Sequence, residues 1–441
     1  MAIREKIIRD PVHDVIAFRL DRATDALLFG LLNCVEFQRL RRIRQLGMAS
    51  LAYPGADHSR YSHSLGVMQT ARRIIEQLCR SFYIAEEDQL LCLAAALVHD
   101  LGHGPFSHVF ERVSGVHHES LTQQVLLDDQ SQVHQVLVAH ERTMPRRVAD
   151  LLNGRPSRSY FCDILSSQLD ADRLDYLLRD NLMTGSQYGD YDLNWLLHAL
   201  TIDEGTNRLA VTWKGISAVE AYLQSRFHMY RNVYFHKVVR SGEGMLKLAL
   251  QRAKRLAVEG RLEWPPGDHA VYKALLGQKL GMSEFSDLDD ISISHCFKLW
   301  TKSSDAVLAR LCSGLLFRRL YKTIDLTRVP DPALARQAVQ AAEQAIAAAG
   351  AEVGCEMFLD EVSESPYERS DPADQDEPTP PSENLAETEI LVQESDGRLV
   401  PFASVSPLAQ ALDRQLFFRR LHVSSEYRDV AEDAVRQMLT R

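Results

Sequence analysis

The residues best suited to chemistry lie in one ten-residue segment, residues 99–108 (HDLGHGPFSH). The segment follows the apolar run of residues 90–98, which has the composition of a buried helix. An imidazole and a carboxylate at the end of a buried helix are costly unless they are paired or bind a cation. The glycines and the proline would end the helix and leave His103 and His108 facing one cleft. A metal site and a hydrogen-bonded His-Asp pair are both consistent with this segment.

Two further segments favour the metal site. Residues 57–66 (DHSRYSHSLG) place Arg60 and His63 at the start of a helix. Residues 169–180 (LDADRLDYLLRD) place a second polar set at helical spacing on one face. That set is Asp172, Asp175, Tyr176, Arg179 and Asp180. A solvated charged face is the simpler explanation of such a set, but the leucines on the opposite side indicate a helix anchored in a core.

The order and spacing of His63, His99-Asp100 and Asp172 are those of the HD phosphohydrolase superfamily, which the chain resembles. The resemblance implies that His63, His99, Asp100 and Asp172 bind one divalent metal ion. Two imidazoles and two carboxylates form a mixed nitrogen and oxygen set that suits Mn, Fe, Zn, Ni or Mg. An additional Mg ion is expected to arrive with a nucleotide substrate.

A more specific resemblance is carried by residues 37–41, 45–47, 53–56, 63–66 and 99–108. These motifs resemble those of the deoxynucleoside triphosphate triphosphohydrolases, in the branch that includes the SAM- and HD-domain enzyme of animal cells and its bacterial relatives. The similarity runs over roughly residues 3–255 and returns weakly near the C-terminus. It implies an enzyme that attacks the α-phosphorus of a dNTP with water and releases deoxynucleoside and tripolyphosphate.

The same resemblance assigns roles to individual residues. His118 would be the catalytic histidine, either as general acid to the leaving 5′-oxygen or as a relay for a proton from water, and Glu111 would orient it. His103 would assist catalysis by holding the phosphate chain. The other phosphate contacts would be Arg60 at the α-phosphate, with His108, Arg173 and Arg226 along the chain. The sugar and base contacts would be Gln45, Tyr176, Asp180 and Tyr234.

Some members of the resembled branch bind an activating nucleotide at a subunit interface. Residues matching that site are Lys6, Gln38 and Arg41. Asn33 stands where the animal enzyme has an Asp that binds the guanine edge, so the acceptor pattern differs. A homo-oligomer, either a dimer or a tetramer, is the expected assembly, and the need for an activator is open.

Two other functions remain as alternatives. The first is a phosphodiesterase, nuclease or ribonucleotide hydrolase that uses the same metal site. The second is a nucleic-acid-binding regulator on the same scaffold, because arginines are dense within residues 39–44 and 142–158. A solvated helix surface is the commoner meaning of such runs, so nucleic acid is not favoured.

The elements that must position these residues are mainly helical. Apolar positions recur at three- and four-residue steps from about residue 24 to 325, while residues 7–18 and 201–213 read as hairpins. We predict an HD phosphohydrolase domain over residues 1–330, with its metal site within about 37–240, and a small α+β lobe over 331–441. In the lobe we predict a helix at 332–349, strands at 351–359, 390–392, 399–402 and 417–423, an acidic proline-rich loop at about 360–388, and a helix at 426–439.

The amino-acid composition limits the possible substrates and the location of the protein. The 441 residues include 50 basic and 60 acidic ones, for a formal charge of −10. Residues 360–396 hold 13 acids and one arginine, and the rest of the chain is therefore at +2. The acidity thus does not exclude a polyanionic substrate. Seven scattered cysteines, the lack of a signal-peptide pattern and the short apolar runs predict a cytoplasmic protein without a membrane span.

Overall fold

The computed structural model describes residues 5–155, 159–365, 367, 389–412 and 415–440. Most of the described chain is α-helical, and the prediction of a mainly α fold is confirmed. No helix in these ranges has the length and apolar composition needed to cross a bilayer.

Most helices of the N-terminal half are short, and three are longer, at Arg60–Leu78, Glu86–Val98 and Ala171–Thr184. Within the described ranges they are α1 (Ala23–Leu32), α2 (Val35–Arg39), α3 (Arg60–Leu78), α4 (Glu86–Val98), α5 (His108–Ser114), α6 (His118–Leu127), α7 (Gln132–His140), α8 (Met144–Leu152), α9 (Tyr160–Leu165), α10 (Ala171–Thr184) and α11 (Leu193–His198).

The second half of the chain contains the longest helix, α13, which a π-helical turn at Tyr230–Tyr234 joins to α12. Within the described ranges the helices here are α12 (Ile216–Met229), α13 (Lys237–Val258), α14 (Ala270–Leu275), α15 (Met282–Asp287), α16 (Asp290–Trp300), α17 (Ala306–Leu316), α18 (Pro332–Ala348), α19 (Val353–Glu356), α20 (Phe402–Val405), α21 (Pro407–Leu412) and α22 (Arg428–Leu439).

Three small sheets complete the fold in the described ranges. Their strands are β1 (Glu5–Asp10), β2 (Asp14–Arg19), β3 (Leu200–Asp203), β4 (Arg208–Thr212), β5 (Lys322–Asp325), β6 (Met357–Glu364), β7 (Leu391–Gln393), β8 (Leu399–Pro401) and β9 (Leu416–Val423). The orders are β1-β2, β3-β4-β7-β8 and β5-β9-β6. Both predicted hairpins, at residues 7–18 and 201–213, are confirmed as β1-β2 and β3-β4.

The chain after residue 389 returns to the helical body. Strand β7 pairs in parallel with β4, and α21 packs on α12. Phe402 has no solvent exposure and belongs to the main core. The division of the chain near residue 330 stays a prediction, although this strand pairing joins part of residues 331–441 to the first region.

Two predictions for the lobe were wrong in their bounds. The strand expected at residues 351–359 begins at Met357, because Val353–Glu356 is a helical turn whose buried Glu356 pairs with Arg310. The acidic loop expected from residue 360 begins later, because β6 continues to Glu364 in register with β9. Two of the first acids of that region, Asp360 and Glu364, therefore lie in a strand and pair with Arg240 and Arg226 of the helical region. Residues 366 and 368–388, where the rest of the loop was predicted, lie outside the described residues.

Packing of α3, α4 and α10 sets the position of the candidate site. Residues 92–98 of α4 are at most 4% exposed, and α3 packs against both other helices. Three acids in the first turn of α4 complement the helix dipole. Asp170 caps α10 by accepting the main-chain N–H of Arg173 at 2.7 Å. The core thus orients the ends of α4 and α10 toward the N-terminal turn of α3.

Candidate active site

Three helices bring the predicted metal ligands together. His63 lies on α3, His99 follows α4 directly, and Asp172 lies in the first turn of α10. The Nε2 atom of His63 is 2.9 Å from Oδ1 of Asp172, and Nε2 of His99 is 3.8 Å from the same oxygen. Ligand atoms of the three residues all lie within 4.8 Å of one another. This spacing is short enough for one cation to bind all three.

The protonation pattern of His99 fits a metal ligand. Its Nδ1 lies 2.9 Å from the carbonyl oxygen of Ala96 and must carry the proton, because a carbonyl only accepts. Its buried Nε2 therefore presents a lone pair, and it makes no hydrogen bond within the described part of the chain. With His63 and two carboxylates nearby, the donor set fits a divalent cation that accepts nitrogen and oxygen ligands.

Asp100, the fourth predicted ligand, is turned toward Arg60. Its Oδ2 pairs with the Arg60 guanidinium and is 4.0 Å from Nε2 of His63. Its Oδ1 is 3.3 Å from Nε2 of His99 and 3.2 Å from Nε2 of His103. Burial opposes the charge of Asp100, but Arg60, His99 and His103 hold the pKa of its carboxyl well below its usual range. Asp100 is therefore an anion that connects the metal ligands to His103.

A buried polar network fixes His63 from behind. Nδ1 of His63 donates to Asp175 at 2.8 Å, and the same carboxylate accepts from Arg179 and His13, each at 2.8 Å. Arg179 also pairs with Asp10 at 2.8 Å. Burial disfavours charge on His63, yet its bonds to carboxylates raise the pKa of the imidazole to about 10. A cation at Nε2 would have to displace that proton, and the network would hold the ring in place.

The network leaves no room for a side chain at Gly66, one turn along α3 from His63. A β-carbon there would overlap the Asp175 carboxylate and the Arg179 guanidinium. Gly66→Ala is expected to destabilise the fold by about 3 kcal/mol, the order of cost of breaking a buried ion pair. Urea unfolding measures the change. Gly354→Ala is the matched control, since a β-carbon at Gly354 meets no atom within 4 Å; equal losses in the two variants would contradict the account.

A second cluster surrounds Glu111. One carboxylate oxygen of Glu111 lies 3.1 Å from Nδ1 of His118 and 3.3 Å from Nδ1 of His108, and the other lies 3.0 Å from Nδ1 of His117. The ring of His103 stacks on that of His118 with centroids 4.0 Å apart. The predicted pair of Glu111 and His118 is therefore in contact. His103, His108 and His118 also offer nitrogens within 4.8 Å of one another.

The environment gives His118 and His103 opposite proton affinities. Burial acts against the charged form of His118, but Glu111 raises the pKa of its imidazole above the ordinary value. Burial and the charge of Arg60 hold the pKa of His103 well below its usual range. Of the stacked pair, His118 is thus the ring that holds a proton more readily, and His103 is the ring that loses it more readily.

Arg60 is held by a turn with unusual backbone angles. Its Nε and Nη2 atoms donate to Oγ of Ser107 at 3.0 and 2.8 Å. Ser107 and its neighbour Phe106 both have positive φ, at 53° and 51°, which is a strained region for residues other than glycine. Nothing in the sequence pattern indicated that Ser107 positions Arg60.

The two arginines assigned to the phosphate chain are both paired in the structure. Arg173 pairs with Asp170 at 3.0 Å. Arg226 lies almost fully buried and donates from Nη2 to Oε1 of Glu364 at 2.7 Å, while its Nε has no partner in the described part of the chain. The contact with Glu364 joins the candidate site to the end of β6.

The sugar-side residues form a compact group beside His63. Tyr234 donates to Asp180 at 2.8 Å, and the other carboxylate oxygen of Asp180 lies 2.7 Å from Nε2 of His58. The ring of Tyr176 is 6.5 Å from that of His63 and 6.2 Å from that of Tyr234. The main-chain N–H of Gln45 donates to the carbonyl of His58 at 3.0 Å, and its side-chain oxygen is buried without a partner in the described ranges. His58 was not identified from the sequence.

Two of the residues matched to the activator site contact each other. Nε of Arg41 donates to Gln38 at 2.8 Å, and its guanidinium lies 3.5 Å from the centroid of the Tyr61 ring. Lys6 is exposed on β1. Asn33 donates from its side chain to the carbonyl of Phe29 at 2.6 Å, which leaves its amide oxygen as an acceptor.

The fold and the paired His and Asp ligands define a metal-binding phosphohydrolase. Family models agree: the HD domain matches residues 60–178 and the HD associated region matches residues 191–261. The chain belongs to the HD-domain phosphohydrolase family. It is 36% identical to the uncharacterized protein YwfO of Bacillus subtilis over 377 residues, which are 85% of this chain and 84% of that protein.

Other relatives carry more specific names. The chain is 30% identical over 281 residues to the deoxynucleoside triphosphate triphosphohydrolase SAMHD1 homolog of Dictyostelium discoideum, covering 59% of this chain and about half, 52%, of that protein. A crystal structure of a phosphohydrolase from Bacteroides thetaiotaomicron superposes with a TM-score of 0.77 at 27% identity, over 95% of this chain and all of that one. A hypothetical protein from Aquifex aeolicus superposes with a TM-score of 0.74 at 25% identity, over 98% of this chain and all of that one.

Proposed function

We propose that the chain hydrolyses deoxynucleoside triphosphates to deoxynucleoside and tripolyphosphate, with a divalent cation (Mn, Fe, Zn, Ni or Mg) held by His63, His99, Asp100 and Asp172. The observation that carries the proposal is the position of Tyr176. Its ring centroid is 6.5 Å from that of the candidate metal ligand His63 and 6.2 Å from that of Tyr234, which donates to Asp180. This neighbourhood supports a sugar-binding group beside the proposed metal site. The names of the SAMHD1 relatives support the same substrate.

The reaction needs a proton donor at the leaving oxygen. Water forms a bond to the α-phosphorus, the bond from phosphorus to the 5′-oxygen breaks, and His118 gives its proton to that oxygen. When bound, the divalent cation supplies positive charge that polarises the α-phosphoryl oxygen and makes water more acidic. Glu111 orients His118 and favours its protonated form. We also assign His103 to the phosphate chain; because the ring is neutral and its single N–H faces Asp100, that N–H would have to turn from Asp100 to the phosphate.

The cationic side chains balance the charge of the triphosphate. Arg60 is held by Ser107 close to the α-phosphate position, and Arg173 and Arg226 extend the positive surface. On the sugar side, Tyr176 packs where a 2′-hydroxyl would lie, and Asp180 accepts the 3′-hydroxyl. An arrangement of this kind selects deoxyribonucleotides over ribonucleotides.

Glu364 is expected to compete with the substrate for Arg226, because an anion paired with this guanidinium must be released when a phosphate binds. Glu364→Gln keeps the size and removes the charge. The KM for dNTP is expected to fall about fivefold, which corresponds to the roughly 1 kcal/mol of a partly exposed ion pair. Steady-state kinetics at saturating Mn²⁺ measure the effect.

Glu361→Gln is the matched control for this change. Glu361 lies on the same strand and pairs with Arg419 at 2.6 Å, away from Arg226. Its loss is expected to leave KM unchanged. An unchanged or raised KM in Glu364→Gln would show that the pair does not oppose substrate binding.

A substrate panel tests the proposal. The protein is incubated with Mn²⁺ or Mg²⁺ and with each dNTP and NTP, singly and mixed, and products are separated by anion-exchange chromatography. Deoxynucleoside and tripolyphosphate are expected from dNTPs, with little product from NTPs. Pyrophosphate or orthophosphate as first product would overturn the proposal. Cleavage of phosphodiesters or single-stranded nucleic acid without dNTP turnover would favour the alternative HD hydrolase, and nucleic-acid binding without any turnover would favour a regulator.

A further inference from the structure

Asp290 makes contacts that the metal site and the assigned substrate residues do not explain. It is the first residue of α16, is 6% exposed, and lies outside the segments that match the two family models. Its two carboxylate oxygens each accept a main-chain N–H, Oδ1 from Phe106 at 2.7 Å and Oδ2 from Arg44 at 2.9 Å. Both donors belong to segments far away in the chain.

Each of these main-chain donors is next to a residue of the candidate site. Arg44 precedes Gln45, whose own N–H is held by the carbonyl of His58. Phe106 precedes Ser107, the residue that accepts two hydrogen bonds from Arg60. Asp290 therefore bridges the segment on the sugar side and the segment on the phosphate side.

The Phe106–Ser107 turn needs a contact that holds its backbone in place. Phe106 and Ser107 both have positive φ, a conformation that costs free energy in residues with a β-carbon. A strained turn persists only when its surroundings hold it in place. A carboxylate that accepts the Phe106 N–H provides this hold. Burial raises the pKa of Asp290 to about 6, so the group is still the anion, with two acceptors, at neutral pH.

The start of α16 is itself anchored on both sides. The buried guanidinium of Arg39 donates to the carbonyl of Leu288 at 2.9 and 2.6 Å and to the carbonyl of Leu101 at 3.3 Å. Asp289 pairs with Arg42. Asp290 therefore projects from a fixed point, and the two main-chain segments that it binds are fixed relative to that point.

We propose that Asp290 is a positioning residue for the hydrolysis reaction, which sets the distance between the Phe106–Ser107 turn and the Arg44–Gln45 main chain. Through this distance it determines where Arg60 and Gln45 meet the triphosphate and the sugar. The role rests on the proposed function, since it concerns the same site. Asp290 itself need not touch the substrate.

The test compares Asp290→Asn with Asp287→Asn. An Asn side chain keeps one acceptor oxygen but faces the other N–H with its own donor group, so one of the two main-chain bonds is lost. With dNTP and Mn²⁺, kcat/KM of Asp290→Asn is expected to fall about 10- to 100-fold, the size typical of losing an outer contact of a site. Mn²⁺ affinity is expected to stay at the wild-type value.

Asp287→Asn is the control because Asp287 is exposed shortly before the same helix, and its side chain binds neither segment in the described part of the chain. Its kcat/KM is expected to be unchanged. Hydrogen exchange gives a readout independent of turnover. At least one of the amides of Phe106 and Arg44 is expected to exchange faster in Asp290→Asn than in the wild type, and both are expected to exchange at the wild-type rate in the control.

Ser107→Ala supplies a second variant if Asp290→Asn folds poorly. It removes only the link from the turn to Arg60, so the kinetic loss is expected to recur with the Phe106 amide still protected. Unchanged amide exchange in a folded Asp290→Asn would overturn the proposed hold, and so would faster exchange with unchanged kcat/KM. A wild-type kcat/KM in Ser107→Ala would show that the turn does not act through Arg60. A wild-type protein without dNTP turnover would instead refute the proposed function, and the exchange rates would still decide whether Asp290 holds the turn.

Discussion

Asp172→Asn is expected to lose the bound metal and, with it, at least about 100-fold of the activity, more than the loss of an outer contact usually costs. Oδ1 of Asp172 lies 2.9 Å from Nε2 of His63 and 3.8 Å from Nε2 of His99, so a single carboxylate oxygen faces both imidazoles. Its pKa is held below the usual range because its contacts with His63 and the charge of His99 outweigh burial. The isosteric amide removes this charge.

Mass spectrometry after dialysis measures the metal content. Titration calorimetry measures the affinity for Mn²⁺. Asp190→Asn is the control because Asp190 is exposed, and its loss is expected to leave both readouts unchanged. If Asp172→Asn bound Mn²⁺ with wild-type affinity and stoichiometry, the assignment of Asp172 as a ligand would be wrong.

His118→Ala is expected to reduce kcat about 10²- to 10⁴-fold, the range that general acid catalysis contributes, while metal binding is retained. The side chain contacts Glu111 and stacks on His103, and it is not among the three residues grouped at the metal site. Single-turnover kinetics measure the chemical step, and calorimetry measures the metal. His134→Ala is the control, because that ring bonds only to the carbonyl of Leu126 among the described residues. Full activity of His118→Ala would refute the proposed acid.

Glu111, the partner of His118, is expected to set the pH at which the activity falls. Glu111 raises the pKa of His118, and a general acid works only in its protonated form, so activity falls as pH rises through that pKa. Glu111→Gln removes the charge and lowers the pKa of His118. The alkaline limb of the pH profile of kcat is therefore expected to move to lower pH. A limb that stayed in place or moved upward would show that another group sets it.

Much of the candidate site could be predicted because its residues follow local patterns. The buried run before His99 predicted a helix end, and the spacing of residues 169–180 predicted the face that carries Asp172. Packing of α3, α4 and α10 then brings these residues together. The mainly helical class could be predicted from the three- and four-residue period, whereas the HD assignment depended on the resemblance of the His and Asp motifs to that superfamily.

The supporting residues could not be predicted, because their partners are distant in the chain. Asp290 binds an N–H 184 positions away, and His58 binds Asp180 across 122 positions. Because nearly every residue has a main-chain N–H, the sequence does not indicate which of them a distant side chain will bind. The pair of Arg226 and Glu364 likewise depends on the register of β6 with β9, which extended the strand into a segment predicted as loop.

The central claim is that water attacks the α-phosphorus and expels the 5′-oxygen of the deoxynucleoside, and hydrolysis in H₂¹⁸O tests it most directly. Mass spectrometry of the products from a dNTP with Mn²⁺ is expected to find one ¹⁸O in tripolyphosphate and none in the deoxynucleoside, because the bond from phosphorus to the 5′-oxygen is the one that breaks. Label in the deoxynucleoside, or a labelled deoxynucleoside monophosphate released with pyrophosphate, would contradict the account.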